Sequence, residues 1–119
     1  MRIFKNSWFD RFAVKEEISD GELRKIINQL EYGKAVSLGG SVYKLRYARH
    51  GEGKAGGYRV IVFFKTELYS FFVYCFKKAE KGNISNRELE TFKEAAKEYF
   101  SMTAYQLQER VEHGQLIEL

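Results

Sequence analysis

Proline is absent from this 119-residue chain, and it holds only one Cys, one Trp and two His. Without proline, no segment end is set by a locked φ, so helices and strands must stop at glycines and polar caps. Cys75 stands alone, which excludes an internal disulfide, and its apolar sequence neighbours predict a buried thiol. His50, His113 and Cys75 are not spaced as a ligand set, so no metal and no cofactor are expected. No apolar run approaches the ~20 residues that a membrane-spanning helix needs. The opening MRIFKNSWFDRF is broken by charges and does not read as a signal peptide. A cytoplasmic protein with no membrane partner is the expectation. Linkers, repeats and low-complexity tracts are also missing, which predicts one domain over 1–119 with one core.

What is present is aromatic and unevenly charged. Ten Phe and eight Tyr contribute to an apolar fraction of 45%, enough for a packed core. The formal net charge is +4. Residues 1–34 carry seven cations and six anions, and residues 84–119 carry four cations and seven anions. The middle, 35–83, carries nine cations against Glu52, Glu67 and Glu80. The positive field therefore belongs to the centre of the chain, which suits a polyanionic partner.

The pattern along the chain predicts an α+β fold. Residues 2–5 read as a short strand. Ser7 and Asp10 have capping-box spacing ahead of a helix with Trp8, Phe9 and Phe12 near one face. Ser19 and Glu22 repeat that spacing before Leu23, Ile26, Ile27 and Leu30, and Gly33 suits a left-handed cap. These helices should form a hairpin, 7–32, on one face of an antiparallel sheet. Strands are expected at about 42–49, 58–65 and 68–77, the last apolar on both faces and therefore covered on both sides. Ser85 and Glu88 should cap a third helix, Thr103 a fourth, and Gly114 should end it. A C-terminal helical extension is expected over about 101–119, with Leu116, Ile117 and Leu119 as an apolar coda. The expected core includes Phe9, Phe12, Ile26, Ile27, Leu30, Leu45, Val60, Val62, Val73 and Cys75.

The segment VYKLRYARHGEGKAGGYRVIVFF, 42–64, carries the chemistry. Lys44 and Arg46 are two apart, so a strand places them on one face. Arg59 opens the next strand, and Arg49 and Lys54 lie in the glycine-rich connection. Arginine forks bind phosphate oxygens in pairs, and lysine can act as a base where neighbouring cations favour its neutral form. Tyr58 fits either a base-stacking platform or the edge of the core. His50 reads as a loop residue, since mobile turns hold acids and bases poorly.

Tyr43-Lys44-Leu45-Arg46, Gly57-Tyr58-Arg59 and Lys78-Ala79-Glu80, in the order strand, two helices, three antiparallel strands, helix, resemble toxins of the RelE/HigB superfamily. The resemblance covers roughly residues 2–100. Gly51-Glu52-Gly53-Lys54-Ala55-Gly56-Gly57-Tyr58-Arg59 is similar to the GxGKxGGxR subgroup. The resemblance implies a type II toxin–antitoxin toxin that cuts messenger RNA on the translating ribosome, without metal, by attack of the 2′-hydroxyl. It implies Lys44, Arg46, Arg59 and Lys78 as catalytic residues and Arg49, Lys54, Tyr58 and Lys77 as RNA contacts. The implied partners are the ribosome, mRNA and a cognate HigA-like helix-turn-helix antitoxin, whose acidic surface should meet residues 35–83. Ala79 stands where relatives place an arginine at the leaving group, and Ser85 where some place a stacking tyrosine. Lys78, or an arginine of the connection, is left to supply the general acid. A ParE-like DNA gyrase inhibitor and a non-catalytic nucleic-acid- or antitoxin-binding module are the competing readings of the same fold.

Overall fold

The computed structural model describes residues 1–48 and 57–119. Arg49, His50 and Lys54, with most of the glycine-rich connection, lie outside the described residues. The elements run β1 (Arg2–Asn6), α1 (Ser7–Lys15), α2 (Asp20–Glu31), β2 (Val36–Gly39), β3 (Val42–Tyr47), β4 (Tyr58–Phe64), β5 (Tyr69–Lys77), α3 (Asn86–Ser101), α4 (Ala104–Glu112) and β6 (Leu116–Glu118). Among the described residues, six strands form one sheet in the order β2-β3-β4-β5-β1-β6. The β1–β5 pair is parallel; the other neighbouring pairs are antiparallel. This is the α+β architecture that the sequence pattern predicts.

Helices cover both faces of the sheet. The α1–α2 hairpin packs Phe9, Ala13, Leu23, Ile26, Ile27 and Leu30 against Leu45, Val60, Val62, Phe72 and Cys75. On the other face, Ala96 of α3 and Leu107 of α4 cover Phe4, Val42, Ile61, Phe63, Phe71 and Val73. β4 and β5 are therefore apolar on both sides, and all seven residues of β4 are buried. Of the expected core, only Phe12 is half-buried rather than buried.

Polar caps do the work that proline would otherwise share. Ser19 with Glu22, Ser85 with Glu88 and Thr103 with Gln106 each form a reciprocal capping box. Gly33 and Gly114 follow α2 and α4 in the left-handed conformation. α1 differs from the sequence reading: its cap is Asn6, whose side chain accepts from the Phe9 amide at 2.7 Å, and Ser7 is already helical. Two short strands were hidden in the pattern. β2 pairs with β3 through a turn in which Gly39, Gly40 and Ser41 all have positive φ. The tail expected as a helical extension is α4 followed by β6, which lies antiparallel on β1.

Candidate nucleic-acid interface

β3 and β4 build the centre of the candidate site. Alternation turns Tyr43, Leu45 and Tyr47 toward the α1–α2 side, and Leu45 is buried there. Val42, Lys44 and Arg46 therefore look toward the α3 side, where Val42 is buried. In β4, Ile61 and Phe63 face the same way, and so does Arg59 by parity. The register sets Arg46 directly opposite Arg59, and Lys44 opposite Ile61. Arg46 is exposed, while Arg59 is only 7% exposed and donates from Nη1 to the Tyr58 carbonyl at 3.2 Å. Burial, and then the charge of Arg46, lower the Arg59 pKa from its ordinary value. Arginine nonetheless stays charged in proteins. Two cations are thus held face to face, one of them poorly hydrated.

The loop after β5 brings in the lysines. Lys78 donates from its backbone to the Gly57 carbonyl at 3.0 Å, tying the end of β5 to the start of β4. Its Nζ donates to the Gly82 carbonyl at 2.6 Å. The next residue, Asn83, accepts from Lys44 Nζ at 3.3 Å through Oδ1 and from the Ile84 amide at 2.9 Å. Lys44 and Lys78 are thereby anchored on consecutive residues of one loop, on either side of the strand that carries Arg59. Asn83, which holds the Lys44 side chain, was missed by the sequence reading; the Gly82-Asn83 turn dipeptide was its only signal. Ser85, at the position of the absent stacking tyrosine, is committed to capping α3.

Tyr58 and Lys77, expected as RNA contacts, are not brought to this face. They sit opposite one another in the β4–β5 register, on the α1–α2 side. Tyr58 is 4% exposed and its hydroxyl donates to Glu16 Oε1 at 2.6 Å. Lys77 Nζ lies 3.1 Å from the same oxygen. The Tyr58 hydroxyl, followed by Lys77, holds the Glu16 carboxyl below its usual range. The physical reason is strand alternation: Arg59 and Tyr58 are adjacent, so they cannot share a face.

Among the described residues, no three His, Cys, Asp or Glu side chains come together as a metal site. Nor is any helix among them long and apolar enough to cross a membrane. The described residues thus place Arg46, Arg59 and two loop-anchored lysines along one face of a two-sided α+β sheet. The family profile described as the RelE toxin of the RelE/RelB toxin–antitoxin system matches residues 1–119. The chain belongs to that toxin family, which implies an antitoxin as partner. Comparison with curated proteins gives no match.

Proposed function

We propose that this toxin is a ribosome-dependent mRNA endoribonuclease that needs no metal. The observation that carries the proposal is Arg46 set directly across from Arg59 on the α3-side face. Like charges directly opposed in an antiparallel pair are unfavourable, and a bound phosphate would reverse that term. The 2′-oxygen attacks the adjacent phosphorus and the bond to the 5′-oxygen breaks, leaving a 2′,3′-cyclic phosphate and a 5′-hydroxyl. Lys44 takes the proton of the 2′-hydroxyl, and Lys78 delivers one to the leaving oxygen. Arg46 and Arg59 hold the phosphate oxygens as charge builds on them. Lys44 and Lys78 reach the same loop, at Asn83 and Gly82, which supports a shared role at one phosphate.

The ribosome supplies what the chain offers little of: a device to fix the RNA in that alignment. Pulsed expression followed by mapping of mRNA 5′ ends tests the reading. New 5′-hydroxyl ends inside translated codons are expected, and they should vanish when initiation is blocked. Growth arrest with intact mRNA and induced DNA damage would instead mark a gyrase poison.

A further inference from the structure

We propose that a second basic site, a cleft at the far end of the sheet, docks an acidic peptide segment of the antitoxin through an apolar anchor residue. The cleft has a volume of about 330 Å³ and is lined by Lys65, Lys93 and Lys97 around Ala96 and Phe100, with Gly40 and Ser41 as one wall. Ser41 precedes β3 and Arg46 lies near its end. The two sites are thus separated by roughly 17 Å of strand at about 3.4 Å per residue.

The cleft is held in shape by contacts of its own. Gly39 and Gly40, at φ +88° and +61°, run against the Lys93 side chain, and a Cβ on Gly40 would stand 3.2 Å from its Cγ. The Ser41 carbonyl accepts from the Phe64 amide at 3.0 Å, which fixes that turn against β4. Lys65 Nζ sits 5.2 Å from the Phe100 ring centre. The ring and the lysine stems form an apolar floor under a rim of ammonium groups.

No lining residue is acidic. Among the described residues, the carboxylate in ion-pair reach of these lysines is that of Glu90, 3.9 Å from Lys93 Nζ, and it is largely exposed, so that tie is weak. Three cations, balanced among the described residues only by that weak tie, favour an anion. Lys65 Nζ already stands over the Phe100 ring, which disfavours a stacking base there, and an aliphatic peptide side chain suits a floor of lysine stems. Lysines, as compact point charges, tolerate carboxylates at varied angles, unlike a phosphate clamp built from arginine forks. Membership of a toxin–antitoxin family supplies a second chain that must bind this one. An antitoxin held here leaves the Arg46–Arg59 face uncovered. The inference rests on family membership and not on the nuclease reading.

The test is calorimetric titration with the antitoxin purified from the toxin's own operon, comparing wild type with Lys65→Glu/Lys97→Glu. At low salt the charge reversal should weaken binding by about tenfold or more, and the loss should shrink as salt rises. Lys65→Gln/Lys97→Gln should lose less, and thermal unfolding of both variants should match wild type. Without antitoxin, the reversed variant should still arrest growth, and about tenfold more antitoxin should be needed to rescue it. Unchanged affinity at low salt overturns the proposal. So does loss of ribosome binding with antitoxin affinity intact, which would assign the cleft to RNA. A large loss of antitoxin affinity from Lys44→Glu, with none from the cleft variant, would overturn it in favour of direct occlusion. Absence of growth arrest in wild type would instead count against the toxin's activity, leaving the titration to judge the cleft.

Discussion

Arg46 and Arg59 oppose like charge across a strand pair, and each should respond differently to truncation. Arg46 is exposed, so Arg46→Ala removes a repulsion of about 0.2–1 kcal/mol and leaves urea stability unchanged or slightly raised. The same change should lower mRNA cleavage by about 100-fold, the usual cost of losing one oriented donor. A single variant that gains stability while losing toxicity would mark a residue kept for chemistry. Glu16 gives a second residue-level expectation. Its carboxyl is held below the usual range by the Tyr58 hydroxyl and Lys77, so it stabilises the fold above its unfolded pKa. That contribution is lost as pH falls through the depressed folded value. Tyr58→Phe should therefore flatten the acid limb of a stability–pH curve measured by denaturant midpoints, with the largest difference from wild type near neutral pH. Strand parity made half of this legible. Lys44 and Arg46 share a face because they are two apart. The same rule, applied to Tyr58 beside Arg59, already placed the tyrosine on the opposite side. Only the register, which depends on the glycine-rich connection, could bring Arg59 opposite Arg46.

Helix ends were the most readable elements, because each is settled within four residues. Ser19, Ser85 and Thr103 cap as their spacing indicates, and Gly33 and Gly114 stop as glycines do. β2 and β6 were not readable: at four and three residues they carry too little alternation, and they exist because a longer strand offers them an edge. Asn6 was missed because a strand runs directly into α1, so cap and strand end are one residue. The loop between β5 and α3 depends on the Ser85 cap. Ser85→Ala should cost about 1 kcal/mol in denaturant unfolding. Asn83→Ala should leave stability nearly unaltered and reduce cleavage, since it releases Lys44 from Oδ1 without touching the core. Equal loss of stability in both variants would show that the loop is merely structural.

At the scale of the molecule, the sheet joins the two ends of the chain. β6 lies on β1, Leu119 donates its amide to the Ile3 carbonyl at 2.9 Å, and Arg2 holds Glu118 through two bonds of 2.8 and 2.9 Å. Leu116 is 1% exposed. Deleting 115–119 should remove at least ~2 kcal/mol through Leu116 alone and leave β1 as a bare edge prone to pairing with other chains. Chemical denaturation and light scattering would read the two effects. The closure also has a timing. Residues 2 and 118 meet across nearly the whole chain, so the last pairing is among the least local contacts a protein of this size can make. During synthesis β1 is made long before β6, so it stays unclasped until β6 has left the exit tunnel. A nascent copy therefore stays open along this edge until β6 is out, and the sheet is closed only by one of its shortest strands.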